Sequence, residues 1–489
     1  MLNSNDLSIE QIHFLYDENQ LTAKQLISMY LERIALFDQA GPTLRSIIEI
    51  NPDALFIAEA LDQERNHYGR TGTLHGIPIL LKDNIETKDF MHTSAGSIAL
   101  EHHRATIDAH LVTKLREEGA IILGKTNMTE FANGMSSTMW AGYSSRGGQV
   151  RNPYGDESLF VGGSSSGSGV AVAADFAPLA VGTETNGSIL SPSIQNSVVG
   201  IKPTVGLISR TGIIPFSYSQ DTAGPMARTV TDAAILLGVL AGVDERDAAT
   251  LTTKHAKTDN YLSFLSEAGL KGARIGVYRA NNQSFLESAE YDASLFEDVV
   301  STLKNEGAIV IDHLAIPSVE RDWKTDVMTH EFAHSMNHFF MGLPAHAPVH
   351  SLSELIEFNK VNEKKALKYG QDRLEKAAAL TNPMTASSYI VARLDDLTFA
   401  RENGLDAALQ QNELDAILFP AYIGSTISAK AGYPSIAVPA GYTKSGRPFG
   451  VTFAGGAYKE GQLIKIAYGY EQATRFRKRP PVIEKEINA

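Results

Sequence analysis

Residues 162–169 read GGSSSGSG, four serines and four glycines set between Phe160-Val161 and the apolar run VAVAADFA. Hydroxyl side chains at this density could supply an oxygen nucleophile, and the glycines would let a substrate approach the backbone. Gly163-Ser164-Ser165-Ser166-Gly167 fits the G-x-S-x-G turn of a serine hydrolase with Ser165 as nucleophile. That chemistry also needs a downstream acid and histidine, and the motif selects none of several candidates. A phosphate-cradling loop would continue Gly-Lys-Ser/Thr, whereas Val170 follows Gly169. A flexible linker would join polar ends, and both flanks here are apolar.

A second pattern lies at His330-Glu331-Phe332-Ala333-His334, which fits H-E-x-x-H with Glu354 or Glu357 as a third zinc ligand. Two imidazoles one helical turn apart could hold the ion while the glutamate acts as base. His338 continues the same face, so a polar helix face beside a cleft explains the spacing equally well. The chain contains no cysteine, which excludes disulfides, a thiol nucleophile and thiolate-bound metal. Amide-cleaving chemistry would then use an oxygen nucleophile or a metal.

The elements that must carry these residues follow from periodicity. Of 489 residues, 43% are hydrophobic and 20% charged, the balance of an ordinary globular protein with an ample core. A formal charge of −13 disfavours nucleic acid as a partner. The one basic cluster, RFRKR at residues 475–479, reads as a solvated chain end after a helix. No run approaches the length of a membrane span and the start of the chain lacks a secretory pattern, so the cytoplasm is the expected location.

Residues 8–39 read as helical, with Thr22 and Gln25 fitting a capping box. In GIPILLKDN, residues 76–84, an apolar run ends abruptly in charge, as a buried strand does. LREEGAIIL at 115–123 and LKNEGAIVI at 303–311 each read as helix, left-handed glycine and strand. With ARIGVY at 273–278 and DAILFPAY at 415–422, these units imply an α/β sheet covered by helices. Residues from about 320 to 410 are mostly helical in pattern and are expected to frame a binding site.

Three stretches together, GGSSSGS, GTETNGSILSPS at 182–193 and VGIKPTVGLISRTGIIPFSYSQDTAGPMAR ending at Arg228, resemble the amidase signature family. Further matches are GIPILLKDNIET at 76–87, GKTNMTEFA at 124–132, YPSIAVPAGY and GRPFGVTFAGG; the likeness thins between about 245 and 410. The resemblance implies a large mixed twisted sheet sandwiched between helical layers. It also implies one domain over 1–489: a helical start to about residue 60, a core at 61–320 and 411–489, and a substrate-site region at 320–410. Its Ser–Ser–Lys triad would fall on Lys82, Ser164 and Ser188, with a cis peptide bond leading into Ser164. The oxyanion donors would be backbone N–H groups around Thr185, Asn186, Gly187 and Ser188.

Those assignments make physical sense. Lys82 ends an apolar strand, so lost hydration would lower its pKa and free an amine to act as base. Lys82 would take the proton of Ser164, and Ser164 that of Ser188, which attacks the amide and forms an acyl-enzyme. Neither metal nor organic cofactor is implied, and the partner would be a small-molecule or peptide amide.

Many family members read Asp-Thr-Gly-Gly-Ser-Ile-Arg at the nucleophile. Here the stretch is Glu184-Thr185-Asn186-Gly187-Ser188-Ile189-Leu190. The missing arginine weakens the reading as the glutaminase component of an amidotransferase, and the wording is similar to bacterial peptide amidases. In that branch a Glu-Phe pair stands where Glu331-Phe332 stands, which argues against zinc.

Overall fold

The computed structural model describes residues 6–253, 260–280 and 291–483. Thirteen strands are described: β1 Ile47–Ile50, β2 Pro78–Lys82, β3 Ile121–Thr126, β4 Tyr143–Ser144, β5 Gly148–Gln149, β6 Leu179–Glu184, β7 Val199–Lys202, β8 Thr222–Ala227, β9 Arg274–Val277, β10 Ile309–Ile311, β11 Ala416–Pro420, β12 Ser435–Tyr442 and β13 Pro448–Ala454. Eleven form one mixed sheet in the order β1-β3-β2-β6-β8-β7-β12-β13-β11-β9-β10. Strands β4 and β5 form a separate pair. The fold is thus α/β with a large mixed sheet, as the resemblance implies.

The register explains where the lysine ends up. β2 runs parallel to β6, pairing Ile79 with Leu179 and Leu81 with Val181. Lys82 and Thr183 therefore emerge together at the carboxyl edge of neighbouring strands, the edge at which open α/β sheets place their ligands. β6 in turn pairs antiparallel with β8 along its whole length, from Leu179 with Ala227 to Glu184 with Thr222. That pairing brings residues just before β8 to the same edge.

The helix–glycine–strand units form as expected. Helix His110–Glu117 and helix Ala293–Asn305 lead into β3 and β10. Gly119 has φ 78°, and a Cβ there would stand 2.8 Å from His75 Cα, so both backbone and space require glycine.

Residues 8–39, read as one helical stretch, divide into helices Ile9–Asp17 and Ala23–Arg33 and a π-helical turn, Ile34–Gln39. Each α-helix has its own capping box, Ser8 with Gln11 and Thr22 with Gln25, and Asn19 at φ 54° turns the chain between them.

The serine–glycine stretch opens helix Ser166–Ala173, which is buried along its whole length. A Cβ on Gly167 would meet Ser46 O at 2.3 Å, so the helix reaches its place only because that side chain is missing. The stretch is therefore the buried foot of a core helix.

Residues 320–410 carry helices Asp326–Met341, Leu352–Val361, Asp372–Ala378 and Ser387–Leu397. The first three pack around an apolar cluster of their own, including Phe332, Met336, Phe340 and Leu355, joined by Phe131 and Met135, and Ser387–Leu397 lies against Asp326–Met341. The basic cluster after helix Glu460–Thr474 is not a free chain end: Arg477 and Arg479 both pair with Asp6, at 3.1 and 2.6 Å. Tyr154 Oη donates to Lys478 O at 2.6 Å. These contacts fasten both ends of the described chain to the core. Among the described residues, no helix is long and apolar enough to cross a membrane.

Candidate active site

Lys82, the last residue of β2, is fully buried; its Nζ donates to Thr183 Oγ1 at 2.9 Å and Thr183 O at 3.1 Å, and Ser164 Oγ lies within hydrogen-bond distance of it at 2.8 Å. Burial pushes its amine down to about 7, although the carboxylates of Glu184 and Asp221 pull it back up.

The four serines of the opening stretch occupy unlike positions. Ser164 follows a cis peptide bond and meets the lysine. Ser165 Oγ donates to Thr183 O at 2.9 Å and accepts from Thr183 N at 3.1 Å, stapling the helix to β6. Held that way, Ser165 is no exposed nucleophile, and the G-x-S-x-G reading fails. Ser166 Oγ donates to Gly162 O at 2.5 Å, and Ser168 Oγ lies 2.8 Å from Thr126 Oγ1.

Ser188 lies on the loop between β6 and helix Leu190–Gln195, and its carbonyl accepts from Ser165 N at 3.2 Å. The two serine loops are thereby tied together. Ser164, Thr185, Asn186, Gly187 and Ser188 all line one cavity of about 680 Å³. Gly187 has φ 75°, a conformation L-residues rarely adopt. Among the described residues no acceptor takes the N–H groups of Thr185, Asn186 and Ser188. Asn186 Nδ2 donates to Thr426 Oγ1 at 3.1 Å, which turns its side chain toward the loop-and-helix segment after β11.

Two carboxylates within the quoted motifs, to which the sequence assigns no role, shape this loop. Glu184 Oε2 accepts from Ile189 N at 2.7 Å and Leu190 N at 3.0 Å, holding the turn that follows Ser188. Burial raises its pKa, opposed by the Lys202 ammonium and the loop N–H groups. Asp221 accepts from Thr185 Oγ1 at 2.6 Å and from Phe216 N and Ser217 N, each at 2.7 Å. Burial pushes its carboxyl up to about 6 against those bonds. Gln220 Nε2 adds a bond to Thr185 O at 3.1 Å. Their signal in the sequence is an acidic residue at the end of one apolar strand and another just before its neighbour.

The H-E-x-x-H residues do not converge. His330 Nδ1 lies 2.7 Å from Pro383 O and its Nε2 3.3 Å from Ser388 Oγ. Glu331 Oε2 accepts from Ser217 Oγ and from Ser219 N and Oγ, and its Oε1 accepts from Tyr389 Oη at 2.9 Å. His334 packs its ring against Tyr218. Glu331 thus ties the 320–410 region to the loop before β8, and Glu354 accepts from His350 N at the start of another helix. Among the described residues no three His, Asp or Glu side chains are grouped to hold a metal ion.

The eleven-stranded mixed sheet with its helices is the fold of the amidase signature enzymes. The Amidase family model matches residues 25–464, and the chain belongs to that family: it is an amidohydrolase. The native peptide amidase of Stenotrophomonas maltophilia superposes with a TM-score of 0.91 and 42% identity over 98% of this chain and 99% of that one. An Arabidopsis thaliana protein named "Probable amidase" is 41% identical over 489 residues, 98% of this chain and 92% of its own. The A component of the glutamyl-tRNA(Gln) amidotransferase of Pseudomonas aeruginosa is 33% identical over 513 residues, 97% and 99% of the two chains.

Proposed function

We propose that the chain hydrolyses the C–N bond of carboxamides through an acyl-enzyme on Ser188, with Ser164 and Lys82 as proton relay, and that peptide C-terminal amides are among its substrates. The observation that carries this reading is the bonding of the buried lysine. A neutral amine has two N–H groups and one lone pair. Thr183 O and Thr183 Oγ1 take the two N–H groups. The lone pair is then left for the Ser164 hydroxyl at 2.8 Å.

From that arrangement the steps follow. Ser188 Oγ attacks the carbonyl carbon as its proton passes to Ser164 and the Ser164 proton passes to Lys82. The developing oxyanion meets backbone N–H groups around Thr185, Asn186, Gly187 and Ser188, and one such donor is typically worth about 3 to 4 kcal/mol. The relay runs backward to protonate the leaving nitrogen, and the C–N bond breaks. Water then attacks the ester, again losing its proton through Ser164, and Ser188 is restored.

The peptide-amide preference draws on the likeness to the Stenotrophomonas enzyme, whose name states that activity. The likeness to the amidotransferase component favours a second reading, a glutaminase acting within a complex. Leu190, in place of the arginine common at that position, speaks against it. We also read residues 1–489 as one catalytic domain, supported by the sheet that gathers strands from residue 47 to residue 454, and place its action in the cytoplasm.

The discriminating experiment measures ammonia release by the purified chain alone from peptide amides, aliphatic amides, aryl amides and glutamine. Turnover of peptide amides without any other protein is expected. Activity with glutamine alone, and only after partner proteins are added, would reverse the assignment.

A further inference from the structure

Near the serine loops the cavity wall is uncharged, with Phe160, Met328, Phe332 and Tyr422 among its residues. Charge enters from helix Asp372–Ala378, from which Asp372, Arg373 and Lys376 line the same cavity. These three charges are not equally available. Asp372 Oδ1 is occupied, accepting from Ser136 Oγ at 2.7 Å and Ser137 N at 2.9 Å. Arg373 Nη1 donates to Asn133 O at 2.6 Å, a neutral acceptor, and the adjacent Asp372 carboxylate offsets part of its charge without outweighing the lost hydration. Among the described residues no carboxylate forms an ion pair with Arg373 or Lys376.

In a chain of formal charge −13 this is a distinctive position for two cations. Arg477 and Arg479 of the C-terminal cluster, by contrast, are spent on Asp6. Both cavity cations are exposed toward solvent, and the surrounding protein removes enough water from Arg373 to lower its pKa. An arriving anion would restore what hydration no longer supplies, and a guanidinium presents a planar fork suited to a carboxylate.

The reacting amide also fixes which part of a substrate reaches these residues. Cleavage of a primary carboxamide releases ammonia, which carries no side chain, so every recognition element lies on the acyl side. An extended peptide advances at most about 3.6 Å per residue, which lets a side chain upstream of the amide reach further along the cavity.

We propose that Arg373 and Lys376 form an anion subsite of the amide cavity, and that the favoured substrates are peptide amides with an aspartate or glutamate side chain upstream of the cleaved bond. The proposal rests on the amidase reading above and adds the substrate class to it. Low ionic strength strengthens the preference, because part of the attraction acts across solvent.

The test uses three tripeptide amides identical except for Glu, Gln or Lys at the residue before the amidated one, with free glutamine as a fourth substrate. Ammonia release gives kcat/KM for each with the full chain. The Glu amide is expected to exceed the Gln amide by about tenfold and the Lys amide to be poorest, with the difference carried by KM. In an Arg373→Gln/Lys376→Gln double variant the Glu-to-Gln ratio falls toward one, and in Lys376→Glu the order of the Glu and Lys amides moves toward reversal. These are ratios within one preparation, so they do not depend on the fraction of folded enzyme. Glutamine turned over in preference to the Glu amide would assign the subsite to a free α-carboxylate and overturn the peptide assignment. Equal turnover of the three amides by the parent enzyme would overturn the subsite while leaving the amidase reading intact. No ammonia from any substrate would sink the amidase reading itself.

Discussion

Replacing Lys82 by methionine keeps an unbranched stem in the buried site and removes only the amine. Buried as it is, that amine titrates at about 7 against an ordinary value of 10.5. Between these two values the unfolded chain holds a proton that the folded one has released. Unfolding free energy therefore rises with pH through this window, by about 1.4 kcal/mol per unit. Below pH 7 both states carry the proton, and the full cost of about 5 kcal/mol, 3.5 units at that slope, falls on the folded state. The cost is relieved as pH climbs toward 10.

Urea unfolding of the parent and Lys82→Met at pH 7, 8 and 9 reads this directly. The stability of the parent relative to the variant should increase by about 2 to 3 kcal/mol from pH 7 to pH 9. Loss of the three hydrogen bonds to Ser164 and Thr183 shifts the variant by a constant and leaves the slope untouched, and other buried lysines cancel in the difference. Parallel stability curves over that range would show that the amine is not depressed and would refute the base assignment. In activity, kcat/KM should fall tenfold per unit below pH 7 and level off above it.

Other substitutions probe the loop around Ser188. Gly187→Ala forces an L-residue into φ 75° with its Cβ 3.3 Å from Ser425 Oγ, and should lower kcat by about 100-fold or more with little change in melting temperature. Asp221→Asn removes a charge that raises the Lys82 pKa, so the acid limb of the pH–rate profile should move to lower pH while kcat falls, because Thr185 loses its carboxylate partner. Glu331→Gln leaves Ser217, Ser219 and Tyr389 competing for one amide oxygen and should cost roughly 2 to 3 kcal/mol in an unfolding titration.

Most of the site is legible in the sequence because the ETNGS loop and the KDN element lie at strand ends, where periodicity breaks off into polar residues, and the serine stretch is a dense polar run between apolar flanks. Lys82 stands out as the charged end of an apolar strand, and Gly119 and Gly307 as left-handed helix ends. What stays hidden depends on pairing across distance. Nothing local shows that Asp221 reaches Thr185, since that follows from the antiparallel register of β6 and β8. The role of Glu331 is masked by a zinc-like spacing, and only the packing of its helix against the loop before β8 reveals the hydroxyls it binds. The RFRKR cluster looks like a solvated chain end for the same reason: its partner, Asp6, lies 471 residues away from Arg477 in sequence.

The central claim is that Ser188 Oγ carries the acyl group and that Lys82 activates it through Ser164. Treating the enzyme with a serine-directed fluorophosphonate and mapping the adduct by peptide mass spectrometry tests it most directly. The label is expected on Ser188, absent in Ser188→Ala, and formed at least about 100-fold more slowly in Lys82→Ala. A label carried by Ser164 or Ser165, or a Ser188→Ala enzyme that still turns over its amides at the parent rate, would contradict the claim.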